Sequence, residues 1–262
     1  MRTIMNTIIK YEHITKSYGD HEIIHDLELN IEAGDFVTII GSSGSGKTTV
    51  LKMVNGLIKP TSGHLYVEGK DINDVDLIDL RRHIGYAIQG SVLFPHMTVE
   101  DNIAYVPRLI NANDKEKTRE AVNRWMNMMN LDASLKERYP SELSGGQQQR
   151  VGIARALAAS PKILLMDEPF GAVDAINRTQ LQDELKALHK KTGITILFVT
   201  HDIEEAIKLG TKVLVIDQGH IEQYDTPDKV LSQPATPFVE KLVKRQVRCT
   251  NVQASNCPYS TY

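Results

Sequence analysis

The chain opens on a period-two pattern through Ile8, Tyr11 and His13 and again through Leu27, Leu29 and Ile31. Turn residues Tyr18-Gly19-Asp20 and Ala33-Gly34-Asp35 punctuate it, so an antiparallel β region is expected. Phe36–Ile40 is nearly continuous in apolar residues, the mark of a strand buried on both faces. A helix is expected from there to about Asn55, where Gly56 ends it. Leu65-Tyr66-Val67 and Ile84–Gln89 read as further strands. From about Thr98 to Ala159 the pattern turns helical, with Ala121, Trp125 and Met128 at the spacing of one helix face. Ile163–Met166, Ile194–Val199 and Val213–Ile216 then read as strands. Between them lie a helix carrying Leu181, Leu185 and Leu188 and a shorter one closed by Gly210. Strands alternating with helices predict a parallel α/β core, with the helical stretch inserted between its parts. The segment from about Arg245 is polar and patternless, and poor order is expected there.

Composition narrows the function classes only a little. Hydrophobic residues make up 41% and charged residues 24% of 262, ordinary for a soluble globular protein. A net charge of −3 and a pI near 6.3 give no general drive toward nucleic acid or anionic lipid. No apolar run approaches the roughly 18 residues a spanning helix needs, and the first residues lack a signal-peptide pattern. A role at a membrane would therefore work through docking. Cys249 and Cys257 fit no zinc spacing and read as free thiols of a reducing compartment.

The chemistry starts at Gly41-Ser42-Ser43-Gly44-Ser45-Gly46-Lys47-Thr48, which satisfies G-x-x-x-x-G-K-[ST] between an apolar strand and a helix. Glycines let the backbone wrap a polyphosphate, and successive N–H groups at a helix start attract anions. Lys47 adds a full charge for the β- and γ-phosphates, and the Thr48 hydroxyl can ligate Mg²⁺. Gly41 through Thr49 are the candidate nucleotide contacts. A bare glycine-rich turn is the bland alternative, but a chance match in this length has odds of roughly one in a hundred. Asp167 ends an apolar strand, where a carboxylate can hold Mg²⁺, and Glu168 beside it is placed to polarise a water. Alone, such a pair would read as a solvated turn.

Leu143-Ser144-Gly145-Gly146-Gln147-Gln148-Gln149-Arg150 resembles the signature segment of the ABC (ATP-binding cassette) family. Ser144-x-x-Gln147 also fits a capping box, and a capped helix start with two glycines is itself an anion site. The resemblance covers roughly residues 5 to 240 and implies further roles. Tyr18 is similar to the aromatic residue that stacks on adenine, and Gln89 to the glutamine that senses Mg²⁺ and water. Asp174, in Gly171-Ala172-Val173-Asp174, is similar to the D-loop aspartate, and His201 to the switch histidine that contacts the γ-phosphate. Asp202 after it can be a simple helix cap. Gly90 and Val173 depart from the family's usual residues without removing a functional group. The expected fold class is α/β, a phosphate-loop NTPase core of ABC type with an antiparallel β subdomain and an inserted helical subdomain near residues 91–160. The ATPase domain is expected over 5–240, with a tail over 241–262.

The resemblance implies an enzyme that hydrolyses ATP with Mg²⁺, two copies sandwiching nucleotide so that Ser144, Gly145, Gly146 and Gln147 of one reach the γ-phosphate of the other. Leu93-Phe94-Pro95-His96-Met97-Thr98-Val99 resembles the part of importer ATPases that receives a transmembrane permease subunit. Residues 84–107 resemble the osmoprotectant branch, which takes up glycine betaine, carnitine or choline. Many members of that branch carry regulatory CBS domains after the ATPase. This sequence stops before such a segment, so gating through them is not expected. The implied setting is the cytoplasmic face of a cell membrane, with an extracytoplasmic binding protein acting indirectly and no nucleic acid. Other classes stay open at this point: another importer, an exporter, a non-transport ABC ATPase or a regulator that binds without hydrolysing. Only about 95 residues separate phosphate loop from signature, too few for the long coiled coil of the DNA-repair type.

Overall fold

The computed structural model describes residues 7–88, 93–112, 114–171 and 173–251, with 245–251 by backbone alone. The chain runs β1 (Thr7–Tyr18), β2 (His21–Glu32) and β3 (Phe36–Gly41) into α1 (Lys47–Val54). Next come β4 (Ser62–Val67), β5 (Lys70–Asp71), α2 (Leu77–Arg82) and β6 (Ile84–Ala87). The inserted helices are α3 (Val99–Asn111), α4 (Lys115–Met128) and α5 (Gly145–Leu157). The last part runs β7 (Ile163–Asp167), α6 (Ala175–Thr192), β8 (Thr195–Val199), α7 (Ile203–Leu209) and β9 (Lys212–Asp217). It ends with β10 (His220–Asp225), α8 (Pro227–Ser232) and α9 (Pro237–Asn251).

Two sheets form. The period-two opening builds an antiparallel four-stranded sheet in the order β2-β1-β4-β5. The apolar runs build a six-stranded sheet in the order β10-β9-β3-β8-β7-β6, parallel throughout except for the edge strand β10. β7 and β8 are buried at every position, because each face of the sheet is covered. Alternate side chains therefore enter different cores. Ile163, Leu165, Leu197 and Val199 pack toward the antiparallel sheet with Ile9, Ile14 and Leu51. Leu164, Met166, Ile196 and Phe198 pack the other way, with Leu181 and Leu185 of α6 and the inserted helices. A third cluster seats Val239 and Val243 of α9 against Ile40, Val213 and Val215.

Two expectations shift. The buried stripe of α4 is Thr118, Val122, Trp125 and Met126, continuing to Met129, rather than the face through Ala121 and Met128. A helix turns 3.6 residues, so the i, i+4, i+7, i+8 set is the one that faces the core. The tail boundary at 241 falls inside α9, whose Val239 and Val243, one turn apart, bury against β3 and β9. Cys249 lies in α9; Cys257 and the rest of 252–262 lie outside the described residues. Among the described residues, no helix is long and apolar enough to cross a membrane.

Trp125 is 3% exposed and joins α4 to the larger core. Trp125→Ala is expected to lower the unfolding free energy by about 3–5 kcal/mol, read from urea denaturation.

Candidate functional site

The parallel register decides what meets at the site. Gly41 is in register with Ile216 on β9, and Asp167 with Val199 on β8. The C-terminal ends of β3, β7, β8 and β9 consequently deliver the phosphate loop, Asp167-Glu168, Thr200-His201 and Asp217 to one edge of the sheet. Ligands in open parallel sheets bind at that edge.

Glycine is required in the loop for steric reasons. At Gly41, φ is 151° and a Cβ would stand 1.8 Å from the Ile216 carbonyl oxygen. At Gly46, φ is 98° and a Cβ would stand 2.4 Å from Ile24 Cδ1 on β2. Gly46 caps α1 without a side chain, so the first N–H groups of that helix have no side-chain acceptor. Lys47 Nζ folds back over the loop and donates to the carbonyls of Gly41 at 3.2 Å and Ser42 at 2.6 Å. Burial pushes the Lys47 ammonium below the usual lysine range, against the opposing pull of the Glu168, Asp167 and Asp217 carboxylates. Ser45 Oγ is buried without a hydrogen-bond partner, an orphan polar atom inside the cradle. Ser43 and Gly44 are exposed, and Thr49 is half-buried in the first turn of α1.

Thr48 Oγ1 donates to Asp167 Oδ1 at 2.9 Å, and Lys52 Nζ stands 3.6 Å from the other Asp167 oxygen. The two candidate metal ligands are thus in direct contact. Glu168 has a φ of 44°, in the left-handed region, and its N–H bonds to the Val199 carbonyl at 3.0 Å. Its Oε2 stands 3.6 Å from Nδ1 of the exposed His201. Asp202 caps α7 through the N–H groups of Glu204 and Glu205, as its sequence position suggests.

Other expected site residues lie apart from this edge. Ser144 and Gln147 form the reciprocal capping box, with Gln147 N–H to Ser144 Oγ at 3.3 Å and Ser144 N–H to Gln147 Oε1 at 2.9 Å. Ser144 and Gly145 are exposed, and α5 packs on α3, α4, β6 and α6, while α1 packs on β3, β4, β7 and β8. Within one chain the two anion-attracting helix starts belong to different neighbourhoods. Asp174 caps α6 by accepting from Asn177 N–H at 3.1 Å and Asn177 Nδ2 at 2.6 Å, bonds that hold its carboxyl below the usual range. Tyr18 is 52% exposed at the β1–β2 turn, with Lys16 Nζ 4.8 Å from its ring centroid. Gln89 lies outside the described residues, as do Gly90 and Ala172.

The segment 93–99 is folded by one buried side chain. Asn102 accepts from Phe94 N–H at 2.8 Å and donates to the carbonyls of Met97 and Phe94. The Phe94 and Tyr105 rings pack with centroids 4.8 Å apart, Tyr105 and Leu109 are exposed one turn apart on α3, and the Arg155 guanidinium lies over the Phe94 ring.

A family model described as ABC transporter matches residues 24–171, more than half of the chain. The chain belongs to the ABC transporter family. It is 50% identical over 237 residues to the carnitine transport ATP-binding protein OpuCA of Listeria monocytogenes, covering 90% of this chain and 59% of that one. It is 44% identical over 238 residues to the glycine betaine uptake system ATP-binding protein YehX of Escherichia coli (strain K12), covering 91% and 77%. Among solved structures, it matches the dimeric post-hydrolysis state of the ATP-binding cassette MJ0796 bound to ADP and Pi. That match has a TM-score of 0.74 at 35% identity, over 84% of this chain and 98% of that one. The fold is that of an ABC cassette, as the signature segment led one to expect.

Sequence reasoning passed over several residues at this site. Ser42 Oγ bonds the Asp217 carboxylate, which holds the start of the loop against the end of β9. Asp217 carries the same signal as Asp167, an acid closing a buried parallel strand. Arg178, Thr200 and Glu205 line a cleft together with Glu168 and His201, and no short-range pattern marks them.

Gly41→Ala is expected to cost more than about 2 kcal/mol, because its Cβ meets fixed backbone. Gly44, with a φ of 76° and open space around it, should lose only about 1 kcal/mol on the same change. Urea unfolding of the two variants side by side tests the difference.

Proposed function

We propose that the chain is the ATP-hydrolysing subunit of a membrane importer for a small solute, a quaternary-amine osmoprotectant or a related zwitterion. The observation that carries the reading is the meeting, at one sheet edge, of the Lys47 loop, the Thr48–Asp167 pair and the Glu168–His201 pair. Loop N–H groups and the Lys47 ammonium are suited to the β- and γ-phosphates, and the exposed Tyr18 ring to the adenine face.

Mg²⁺ fits the donors available. The Thr48 hydroxyl and the Asp167 carboxylate are hard oxygen ligands, and substrate oxygens and water complete the set such a cation prefers. When bound, the cation neutralises charge on the phosphates. Glu168 orients a water and takes its proton, and His201 holds the γ-phosphate beside it. Gln89 keeps its assignment as a sensor of metal and water. The chain's part in catalysis is then positioning and charge stabilisation.

The exposed, capped start of α5 supports a second copy, its Ser144–Gln147 segment and Asp174 completing the nucleotide site of the mate. The exposed Tyr105 and Leu109, with Phe94 packed on Tyr105, support docking of permease subunits on the cytoplasmic face of the membrane. An extracytoplasmic binding protein would act through those subunits. The substrate class rests on the relatives, ATP-binding proteins of carnitine transport and of glycine betaine uptake.

Lys47→Ala is expected to weaken MgATP binding at least about tenfold by calorimetry. Glu168→Gln should bind MgATP as the wild type does yet release phosphate about a hundredfold more slowly. Wild-type turnover by Glu168→Gln would remove that residue from its role. Uptake of labelled betaine, carnitine and choline in a deletion strain, restored by this chain and not by Lys47→Ala, tests the transport reading.

A further inference from the structure

Behind His201 lies a charged side chain with no part in the chemistry above. Glu205, on α7, is 6% exposed. One of its oxygens accepts the Thr200 hydroxyl and the other accepts Gln182 Nε2 from α6 at 2.9 Å. Burial raises its carboxyl above the usual range, and the nearby Arg178 guanidinium opposes that rise. Arg178 in turn donates to the carbonyl of Val173, just before the Asp174 cap.

Both ends of this chain of contacts are tied to groups that can only donate. At one end, the Asp202 backbone N–H donates to Thr200 Oγ1 at 3.0 Å. The Thr200 oxygen keeps a second lone pair besides, so its hydroxyl can donate to Glu205 or accept from that position. At the other end, the Lys208 ammonium donates to Gln182 Oε1 at 3.2 Å and also pairs with Asp183. An ammonium has no acceptor, so the Gln182 amide turns its nitrogen to Glu205. Glu205 therefore bridges Thr200 and Gln182, one oxygen to each. The Thr200 backbone is held as well, its N–H bonding the Ile39 carbonyl on β3 at 3.1 Å.

We propose that Glu205 is a positioning residue for the switch: its buried carboxyl group ties Thr200 to α6, and so fixes where the next residue, His201, stands beside Glu168. The inference rests on the ATPase reading for its kinetic consequence, but its geometry does not. In Glu205→Met the side chain keeps about its length but can bond neither partner, so the anchor is lost. Glu205→Gln keeps both bonds, because its amide oxygen accepts Gln182 Nε2 and its amide nitrogen donates to the second lone pair of Thr200 Oγ1.

The test measures phosphate release, MgATP affinity and the assigned His201 imidazole resonances in the full chain, with thermal melts as a check on folding. Glu205→Met is expected to lower kcat about tenfold and leave ATP affinity within about twofold, since nothing in the phosphate cradle changes. It should also shift the His201 resonances. Glu205→Gln, which keeps both bonds, should hold kcat to within about threefold and leave the resonances near wild type. A folded Glu205→Met chain with wild-type kcat and unshifted His201 resonances overturns the proposal. So does a folded Glu205→Gln chain as impaired as Glu205→Met. A wild-type chain that releases no phosphate sinks the ATPase reading instead, and the His201 resonances still decide the role of Glu205.

Discussion

Four chain segments reach the same edge of one sheet because parallel strands in register must end together. β3 lies between β8 and β9, and β7 lies beyond β8, so the residues after each strand emerge as neighbours. The order β9-β3-β8-β7 places the phosphate loop between the end carrying Asp217 and the ends carrying His201 and Asp167. A register slip of one residue would turn each of those side chains to the opposite face. Burial on both faces is what prevents the slip, since every strand residue already has its own core to enter. The stability of the sheet and the geometry of the site are consequently one constraint.

Local strain is concentrated at that edge and held there by the same strands. Glu168 occupies the left-handed region at a cost of about 1–2 kcal/mol for a residue with a Cβ. Its N–H bond to Val199 extends the β7–β8 ladder by one residue and fixes that conformation. Gly41 and Gly46 take the positions that no side chain could occupy, against Ile216 and Ile24. Lys47 satisfies two loop carbonyls, leaving the orphan donor of Ser45 and the uncapped start of α1 as the loop's open polar capacity.

How much of this was legible in the sequence follows from the range of the interactions involved. β3, β7, β8 and the phosphate loop declare themselves in runs of adjacent residues, and so does the capping box of Ser144 and Gln147. The stripe of α4 was set one residue off, because Thr118 and Val122 mark the buried face while Trp125 fits either phase. β10 and α9 were passed over. The first is a half-buried edge strand of polar residues, and the second is helical because Val239 and Val243 find β9 and β3 beneath them. Asp217 was within reach, since it ends a strand already recognised. Glu205 was not, because its partner Gln182 lies 23 residues away on another helix.

The segments that face outward, toward a second copy in the proposed assembly, form one mechanical unit within the chain. Arg150 of α5 makes two bonds to Glu184 of α6, at 3.0 and 3.1 Å, and both side chains are only 14% exposed. A paired guanidinium and carboxylate of this kind resists separation, since parting them leaves two poorly solvated charges. At the other end of the contact, a Cβ on Gly146 would sit 3.7 Å from Asn177, the residue that Asp174 clamps. The start of α5 and the start of α6 are therefore neighbours held by direct contacts. Arg178, one residue beyond Asn177, carries the connection back to Val173 and to the cleft that holds Glu205 and His201. α5 is thus joined to α6 by an ion pair, and α6 to the cleft beside His201 by the hydrogen bonds of Arg178 and Gln182.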